Sequence, residues 1–219
     1  MNTFVIGDVH GSFQQLASLL DVIKPNLKRD RLIMLGDYID RGPNTYLTVK
    51  KVMSLQKTFG EKQVVLLRGN HEQMAIDYYQ NGHHNFFFNG GDRTVKDFKR
   101  HNDDLGNYLE FFKSLPTYFE DEHFIYVHGG IRHGIKLSEQ RESDLLWIRE
   151  EFYMNQSGGQ KTVIFGHTPT FTINGTYRPF VGTNCIGIDT GCVYGGYLSA
   201  LQLNHGMLVD IYQVMKEAA

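Results

Sequence analysis

Five short apolar runs in this chain each finish in a glycine turn that carries a carboxylate, an amide or an imidazole. The turns read Gly7-Asp8-Val9-His10-Gly11, Gly36-Asp37-Tyr38-Ile39-Asp40-Arg41-Gly42, Arg68-Gly69-Asn70-His71-Glu72, Val127-His128-Gly129-Gly130 and Gly166-His167. Pooled, they offer Asp8, His10, Asp37, Asn70, His128 and His167, a mixed oxygen and nitrogen set without a thiolate. Divalent manganese, iron or zinc suits such a set, whereas a closed structural zinc site favours cysteine. Six donors are more than one tetrahedral ion needs; two ions about 3.5–4 Å apart, sharing a carboxylate, would use them all. A single Asp or His after a strand is most often a turn or cap residue. The repetition of the pattern on one short chain makes coincidence a poor explanation.

The elements that must position these turns follow from hydrophobic spacing. Residues 3–7 form an apolar run ending in glycine, which predicts a buried strand. Ser12 is placed to N-cap a helix whose apolar positions Phe13, Leu16, Leu19, Leu20 and Ile23 recur at helical spacing, and Pro25 closes it. Strands are predicted at 31–35 and 63–67, with helices near 44–58 and from about Glu72. Strand, loop and helix alternate three times, which is the pattern of an α/β sheet with right-handed crossovers. In an open sheet of this kind ligands bind outside the carboxyl ends of the strands. The later half reads differently. A hairpin is expected from 117–119 and 123–128, a helix at 144–152, and strands at 162–165, 185–189, 197–203 and 207–212. Asn204-His205-Gly206 is a hairpin turn signal. A parallel-leaning first half and an antiparallel second half predict two mixed sheets packed together with helices outside. The polar stretch 81–104, interrupted by Phe86, Phe87 and Phe88, reads as an excursion from one domain rather than a boundary.

Composition narrows the class. At 219 residues the chain is long enough for one domain with a full core. A net charge of −2 excludes a generic nucleic-acid coater. No apolar run approaches the roughly 18 residues that span a bilayer, and the opening Met1-Asn-Thr-Phe-Val-Ile-Gly lacks the basic start of a signal peptide. Cys185 and Cys192 are too few for a disulfide framework and match no metal motif. A cytoplasmic protein is therefore expected, with no membrane and no nucleic-acid polymer as partner.

Taken together, Gly-Asp-Val-His-Gly, Gly-Asp-Tyr-Ile-Asp-Arg-Gly, Gly-Asn-His-Glu, His-Gly-Gly and Gly-His resemble the motifs of the phosphoprotein phosphatase family of metallophosphoesterases, most of all its small bacterial and phage members. The resemblance runs from Asp8 to His167. It implies one calcineurin-like domain over 1–219, an α/β sandwich of two mixed β-sheets flanked by helices. It also implies two divalent metal ions, Mn²⁺ first and Fe or Zn as acceptable alternatives, with a bridging hydroxide as nucleophile. Asp8 and His10 would hold the first ion, Asp37 would bridge, and Asn70, His128 and His167 would complete the second. His71 would be the general acid, oriented and kept protonated by Asp40. Arg41 would clamp phosphate oxygens, a bidentate task that lysine does not perform. The second clamping arginine of these small enzymes follows a tryptophan, which singles out Arg149 after Trp147 and Ile148.

The implied activity is phosphomonoester hydrolysis, with phosphoserine and phosphothreonine proteins as the leading substrates and phosphotyrosine beside them. The alternative is a symmetrical dinucleoside tetraphosphate or other small phosphoester. Enzymes of that kind tend to lack the Asp that stands here at 40 and to carry Asp where Glu72 stands. A non-catalytic metal-binding adaptor could dispense with His71 and the arginines, which this chain keeps. Asp189, in Ile188-Asp189-Thr190-Gly191, reads as a structural support near the site. His83 and His84 read as a solvent loop, and the Phe86–Phe88 cluster as core or cover.

Overall fold

The computed structural model describes residues 1–155 and 161–215. β1 (Thr3–Ile6), α1 (Phe13–Ile23), β2 (Arg31–Met34), α2 (Thr45–Phe59), β3 (Val64–Leu66) and α3 (Asn70–Asn81) follow one another as expected. β1, β2 and β3 run parallel in adjacent positions. Each strand is apolar on both faces, the mark of parallel strands covered on both sides. Phe4, Ile6, Leu32, Met34, Val64 and Leu66 face the helices, while Val5, Ile33 and Val65 face the second sheet. Ser12 does precede α1, but its side chain makes no capping bond, and the helix stops at Lys24 in the left-handed region. α3 begins two residues before the position predicted, at Asn70, because Gly69 is its N-cap.

The 81–104 stretch turns out to be helical. A π-type turn over Phe87–Gly91 leads into α4 (Asp92–Arg100). α4 escapes a hydrophobic-period reading because its buried face is Thr94, Asp97 and Phe98. Asp97 accepts bonds from the Thr45 hydroxyl and the Tyr46 N–H, tying α4 to the start of α2. Phe86 is core, Phe88 is exposed, and His83 and His84 are solvent residues. α5 (Leu109–Ser114) leads into the second sheet.

β4 (Tyr118–Glu120) and β5 (Phe124–Val127) form the predicted hairpin. The expected helix over 144–152 is broken into α6 (Glu142–Trp147) and α7 (Glu150–Tyr153), with buried Ile148 extended and Arg149 at φ −128°, ψ −108° between them. β6 (Thr162–Phe165), α8 (Thr170–Asn174), β7 (Phe180–Val181) and β8 (Cys185–Gly187) follow. β9 (Tyr197–Asn204) and β10 (Met207–Met215) end the described chain as a hairpin through His205 and Gly206, both at positive φ. That turn suits the twist of paired strands.

Two mixed sheets of five strands result, ordered β10-β9-β1-β2-β3 and β4-β5-β6-β8-β7. The expected division into a parallel and an antiparallel half is corrected. Each sheet has a parallel core of three strands, and antiparallel strands are added outside it. β5, β6 and β8 are parallel because long crossovers separate them. The terminal hairpin returns to the first sheet, where β9 pairs antiparallel with β1. Val5, Ile33, Leu35, Ile164, Ile186 and Leu201 pack between the sheets, and Val127, Val163 and Phe165 pack against α6 and α7 outside the second. Among the described residues, no helix is long and apolar enough to cross a membrane.

Candidate functional site

The six parallel strands of the two sheets deliver their carboxyl ends to one place. β1 is followed by Asp8 and His10, β2 by Asp37, Asp40 and Arg41, and β3 by Asn70 and His71. β5 is followed by His128, β6 by His167 and β8 by Asp189. All of these except the exposed part of Arg41 are buried. The turns are tight: among the described residues eight non-glycine positions have positive φ, and five of them are His10, Asp37, Asp40, Arg41 and His167. Backbone held in this region costs free energy and persists where the surroundings impose it. Two glycines are imposed by the site itself. A Cβ at Gly69 would collide with the Asp37 carboxylate, and one at Gly166 with that of Asp8.

Asp37 is the hub. Its Oδ1 accepts the His71 N–H at 3.0 Å and lies 3.4 Å from His128 Nε2. Its Oδ2 lies 3.4 Å from His10 Nε2 and 3.9 Å from His71 Nε2. Two groups of three result whose ligating atoms stand within 4.8 Å of one another: His10, Asp37 and His71, and Asp37, His128 and His167. Asp8 lies alongside, its carboxylate accepting the His167 N–H at 3.0 Å. Asn70 Oδ1 stands 2.8 Å from His128 Nε2 and 2.9 Å from His167 Nδ1. All six residues expected to bind metal are thus brought together.

Ring orientation tests whether this set suits a cation. His10 Nδ1 donates to the Ile39 carbonyl at 2.8 Å, and His128 Nδ1 to the Leu35 carbonyl at 2.9 Å. His167 Nε2 donates to the Trp147 carbonyl at 3.3 Å. In each ring the remaining nitrogen turns its lone pair inward, as metal-binding imidazoles do when a backbone carbonyl fixes the tautomer. Burial, reinforced by neighbouring positive charge, holds the pKa values of His10 and His167 well below the ordinary histidine range. Burial lowers that of His128 as well, against the opposing charge of Asp37. Neutral rings with converging lone pairs, beside a carboxylate hub and an amide oxygen, fit a pair of divalent ions.

His71 is set differently. Its Nδ1 donates to Asp40 Oδ2 at 2.6 Å, with both side chains buried. Burial alone would lower its pKa, but Asp37 and Asp40 together raise it. Arg41 donates from Nη1 to His10 Nε2 at 2.5 Å, so its guanidinium borders the cluster. Arg149 reaches the cluster beside His167, donating to the His167 carbonyl at 3.1 Å and the Thr168 hydroxyl at 3.3 Å. The break between α6 and α7 is what turns it there.

Two supporting residues were not anticipated. Glu72 accepts four backbone N–H groups: Asp37 and Gly69 on Oε2, Tyr38 and Ile39 on Oε1. It clasps the turn after β2 to the start of α3. Its place three residues after Gly69, in the first turn of a helix, is a readable capping signal. Thr94 has no such signal. Its hydroxyl donates to Asp40 Oδ1 at 2.6 Å and accepts the Asp40 N–H at 2.9 Å, across 54 residues of sequence. Asp189 is buried with its Oδ1 on the Gly191 N–H, and burial pushes it up to about 6. Its charge also helps, after burial, to raise Asp8.

Residues 1–193 match the calcineurin-like phosphoesterase family, and the chain belongs to it. The class is therefore that of metallophosphoesterases, hydrolases built on dinuclear divalent metal sites. Among its relatives is an asymmetrical bis(5′-nucleosyl)-tetraphosphatase, PrpE of Oceanobacillus iheyensis, 26% identical over 96% of this chain and 92% of that one. Serine/threonine-protein phosphatase 1 of Salmonella typhimurium is 29% identical over 92% of each. A serine/threonine phosphatase structure from Saccharomyces cerevisiae superposes with a TM-score of 0.72 at 16% identity, covering 100% of this chain and 80% of its own, a likeness of fold.

Proposed function

We infer that the chain is a dinuclear phosphomonoester hydrolase, one domain over 1–219, that releases phosphate from phosphoserine and phosphothreonine side chains, with phosphotyrosine beside them. The carrying observation is the buried 2.6 Å hydrogen bond from His71 to Asp40 immediately beside the Asp37 hub. It keeps a proton on an imidazole where an alkoxide must leave, which is the need of a poor leaving group such as serine.

Asp8 and His10 would hold one ion, Asn70, His128 and His167 the other, and Asp37 both. The ions, with Mn²⁺ first in order, would supply Lewis-acid charge and an activated water near neutral pH. Arg41, beside His10, and Arg149, beside His167, bind the non-reacting phosphate oxygens and stabilise the charge that grows on them. His71 gives its proton to the departing oxygen, and Asp40 fixes the ring and stabilises its charged form. Neutral histidine and asparagine ligands keep the centre cationic enough to attract a phosphate dianion.

A second reading is hydrolysis of dinucleoside tetraphosphates. The relatives named as such are asymmetrical enzymes, whereas the sequence comparison with Asp40 and Glu72 concerned symmetrical ones. The deciding assay compares phosphothreonine peptide with diadenosine tetraphosphate at one Mn²⁺ concentration, with a chelated control. Preference for the peptide is expected. Absent turnover from folded protein would leave only a non-catalytic metal-binding role, and turnover that survives chelation would contradict the dinuclear centre.

A further inference from the structure

Asp40 holds His71 with one oxygen, and what holds its other oxygen decides where that contact points. Oδ2 accepts the His71 Nδ1–H at 2.6 Å, and Oδ1 accepts the Thr94 hydroxyl at 2.6 Å. The same hydroxyl oxygen accepts the Asp40 N–H at 2.9 Å. A hydroxyl carries a single proton. With the Asp40 N–H on its lone pair, the Thr94 proton is committed to Oδ1. A threonine in a helix can instead donate to a carbonyl one turn back, yet Thr94 spends its proton on a residue 54 positions away. Thr94 and Asp40 are both fully buried, so water does not stand in for a lost bond.

The loop after β2 does not fix this carboxylate unaided. Asp40 and Arg41 are consecutive non-glycine residues in the left-handed region, at φ 70° and 65°, a conformation that needs outside support. α4 provides it at both positions. Arg93 Nη1 donates to the Arg41 carbonyl at 2.6 Å, and Thr94 takes the Asp40 N–H. The torsion that turns a carboxylate about its Cβ–Cγ bond is soft. The hydroxyl on Oδ1 therefore sets the plane in which Oδ2 meets the imidazole.

We propose that Thr94 is the positioning residue of the proton-transfer step: its hydroxyl orients Asp40, Asp40 orients His71, and the departing alkoxide meets a proton only when this chain is intact. In that step the P–O bond to the serine or threonine oxygen breaks with its electron pair left on that oxygen. The His71 Nε2 proton goes to it, and the ring is left neutral. Thr94 acts through two hydrogen bonds and touches none of the reacting atoms. A nitrophenolate leaves without a proton, so its departure does not need the chain. A threonine that only filled space beneath the loop would affect every leaving group alike. The assignment rests on the reading of His71 as the general acid of a phosphomonoester hydrolase.

Thr94→Val keeps the shape and removes the hydroxyl, and Thr94→Ser restores it. Both are compared with wild type and His71→Asn under saturating Mn²⁺, on a phosphothreonine peptide and on p-nitrophenyl phosphate. Thr94→Val should lower kcat on the peptide roughly tenfold or more, the size of one hydrogen bond to a charged group, with less than about a threefold change on p-nitrophenyl phosphate. KM for the peptide should hold, and Thr94→Ser should recover most of the rate. Asp97→Ala, which unties α4 from the start of α2, should affect both esters alike. Equal losses on both esters in Thr94→Val, no recovery with serine, or a leaving-group-selective loss in Asp97→Ala would each overturn the assignment. If His71→Asn itself loses equally on both, the acid reading falls and takes the assignment with it. If His71→Asn is selective and Thr94→Val is not, the assignment falls alone. A second readout needs no turnover. In Zn²⁺-loaded protein the His71 Nδ1 proton should give a low-field, exchange-protected NMR resonance, identified by its absence in His71→Asn. It should shift or broaden in Thr94→Val and stay in place in Thr94→Ser; a resonance that Thr94→Val leaves unmoved contradicts the chain. Thermal melts confirm folding, and if valine does not fold there, Thr94→Ala is read in the same way.

Discussion

Burial alone would take the proton from His71, and two carboxylates restore it. Asp37 acts through space and Asp40 through a direct bond, and the net effect is an imidazole that stays charged to higher pH than usual. His71→Asn keeps a polar side chain there but has no proton to give. It should lose about 10²–10⁴-fold in kcat on phosphoserine substrates, and clearly less on p-nitrophenyl phosphate, whose leaving group needs no acid. Equal losses on both would remove His71 from that role. Asp40→Asn deletes one of the two raising charges. The pKa of His71 then falls, and the alkaline limb of the kcat–pH profile should move to lower pH; a limb that stays in place or rises contradicts the assignment. The proposed metal ligands are read separately. Asn70→Ala and His128→Ala should each lower the Mn²⁺ retained per folded chain after dialysis, measured by elemental analysis, because each removes a donor from the group around Asp37.

Elements decide where these residues stand, and they divide into those the sequence displays and those it hides. β1 to β3 and their helices are displayed, because apolar period and glycine turns agree at every step. The donor set is displayed too, since each ligand follows a strand end directly. What is hidden depends on contacts far apart in the chain. α4 shows only a polar surface pattern, yet its Thr94 holds both the Asp40 backbone N–H and its carboxylate. The break between α6 and α7 has no glycine or proline to announce it; buried Ile148 and the turn toward His167 impose it. The parallel order of β5, β6 and β8 is set by crossover connections, which strand composition does not report. Glu72 lies between these cases, visible as a helix-start glutamate but not as the clasp between two turns. Glu72→Gln leaves one oxygen to serve four N–H donors. At pH 8, above its raised pKa of about 7, Glu72 is a charged acceptor, and bonds to such an acceptor contribute about 1.5–3 kcal/mol each. In a chain of this size, 1 kcal/mol corresponds to roughly 2–4 °C. A melting temperature lower by at least about 5 °C is expected, together with weaker Mn²⁺ retention, since Asp37 hangs on the same clasp. A neutral effect on both would mean the loop is held by other contacts.

At the scale of the whole molecule, the convergence of two parallel triplets gathers acids and imidazoles in one buried place, and stability should then depend on pH and on metal together. The acids are pushed up. Asp8 is raised well above its ordinary range, Glu72 goes from 4.5 to about 7, and Asp189 from 3.8 to about 6, all chiefly by burial. Such an acid keeps its proton in the fold while the unfolded chain releases it, so stability falls as pH rises toward the folded value. His10, His128 and His167 are pushed down, so they add stability as pH rises, but only up to about 6.5, where the unfolded histidines have also lost their protons. His71 is raised and therefore loses its contribution above 6.5. Asp37 is lowered, and its contribution is complete by about pH 4. Below 6.5 the terms oppose one another; above it Glu72 and His71 act in one direction. Chelator-treated protein should therefore melt lower at pH 8 than at pH 6.5. Divalent ions invert this. They neutralise the carboxylates, bind the neutral rings, and bind more tightly as competing protons leave. Mn²⁺ at about one hundred times its dissociation constant adds roughly 2.7 kcal/mol, or about 5–10 °C here, and the gain should be larger at pH 8 than at pH 6.5. Differential scanning calorimetry at both pH values, with and without Mn²⁺, reads the effect directly. A metal-induced shift of equal size at both would mean that the ions bind away from these acids, and the convergence of the six strand ends would then not be the metal centre.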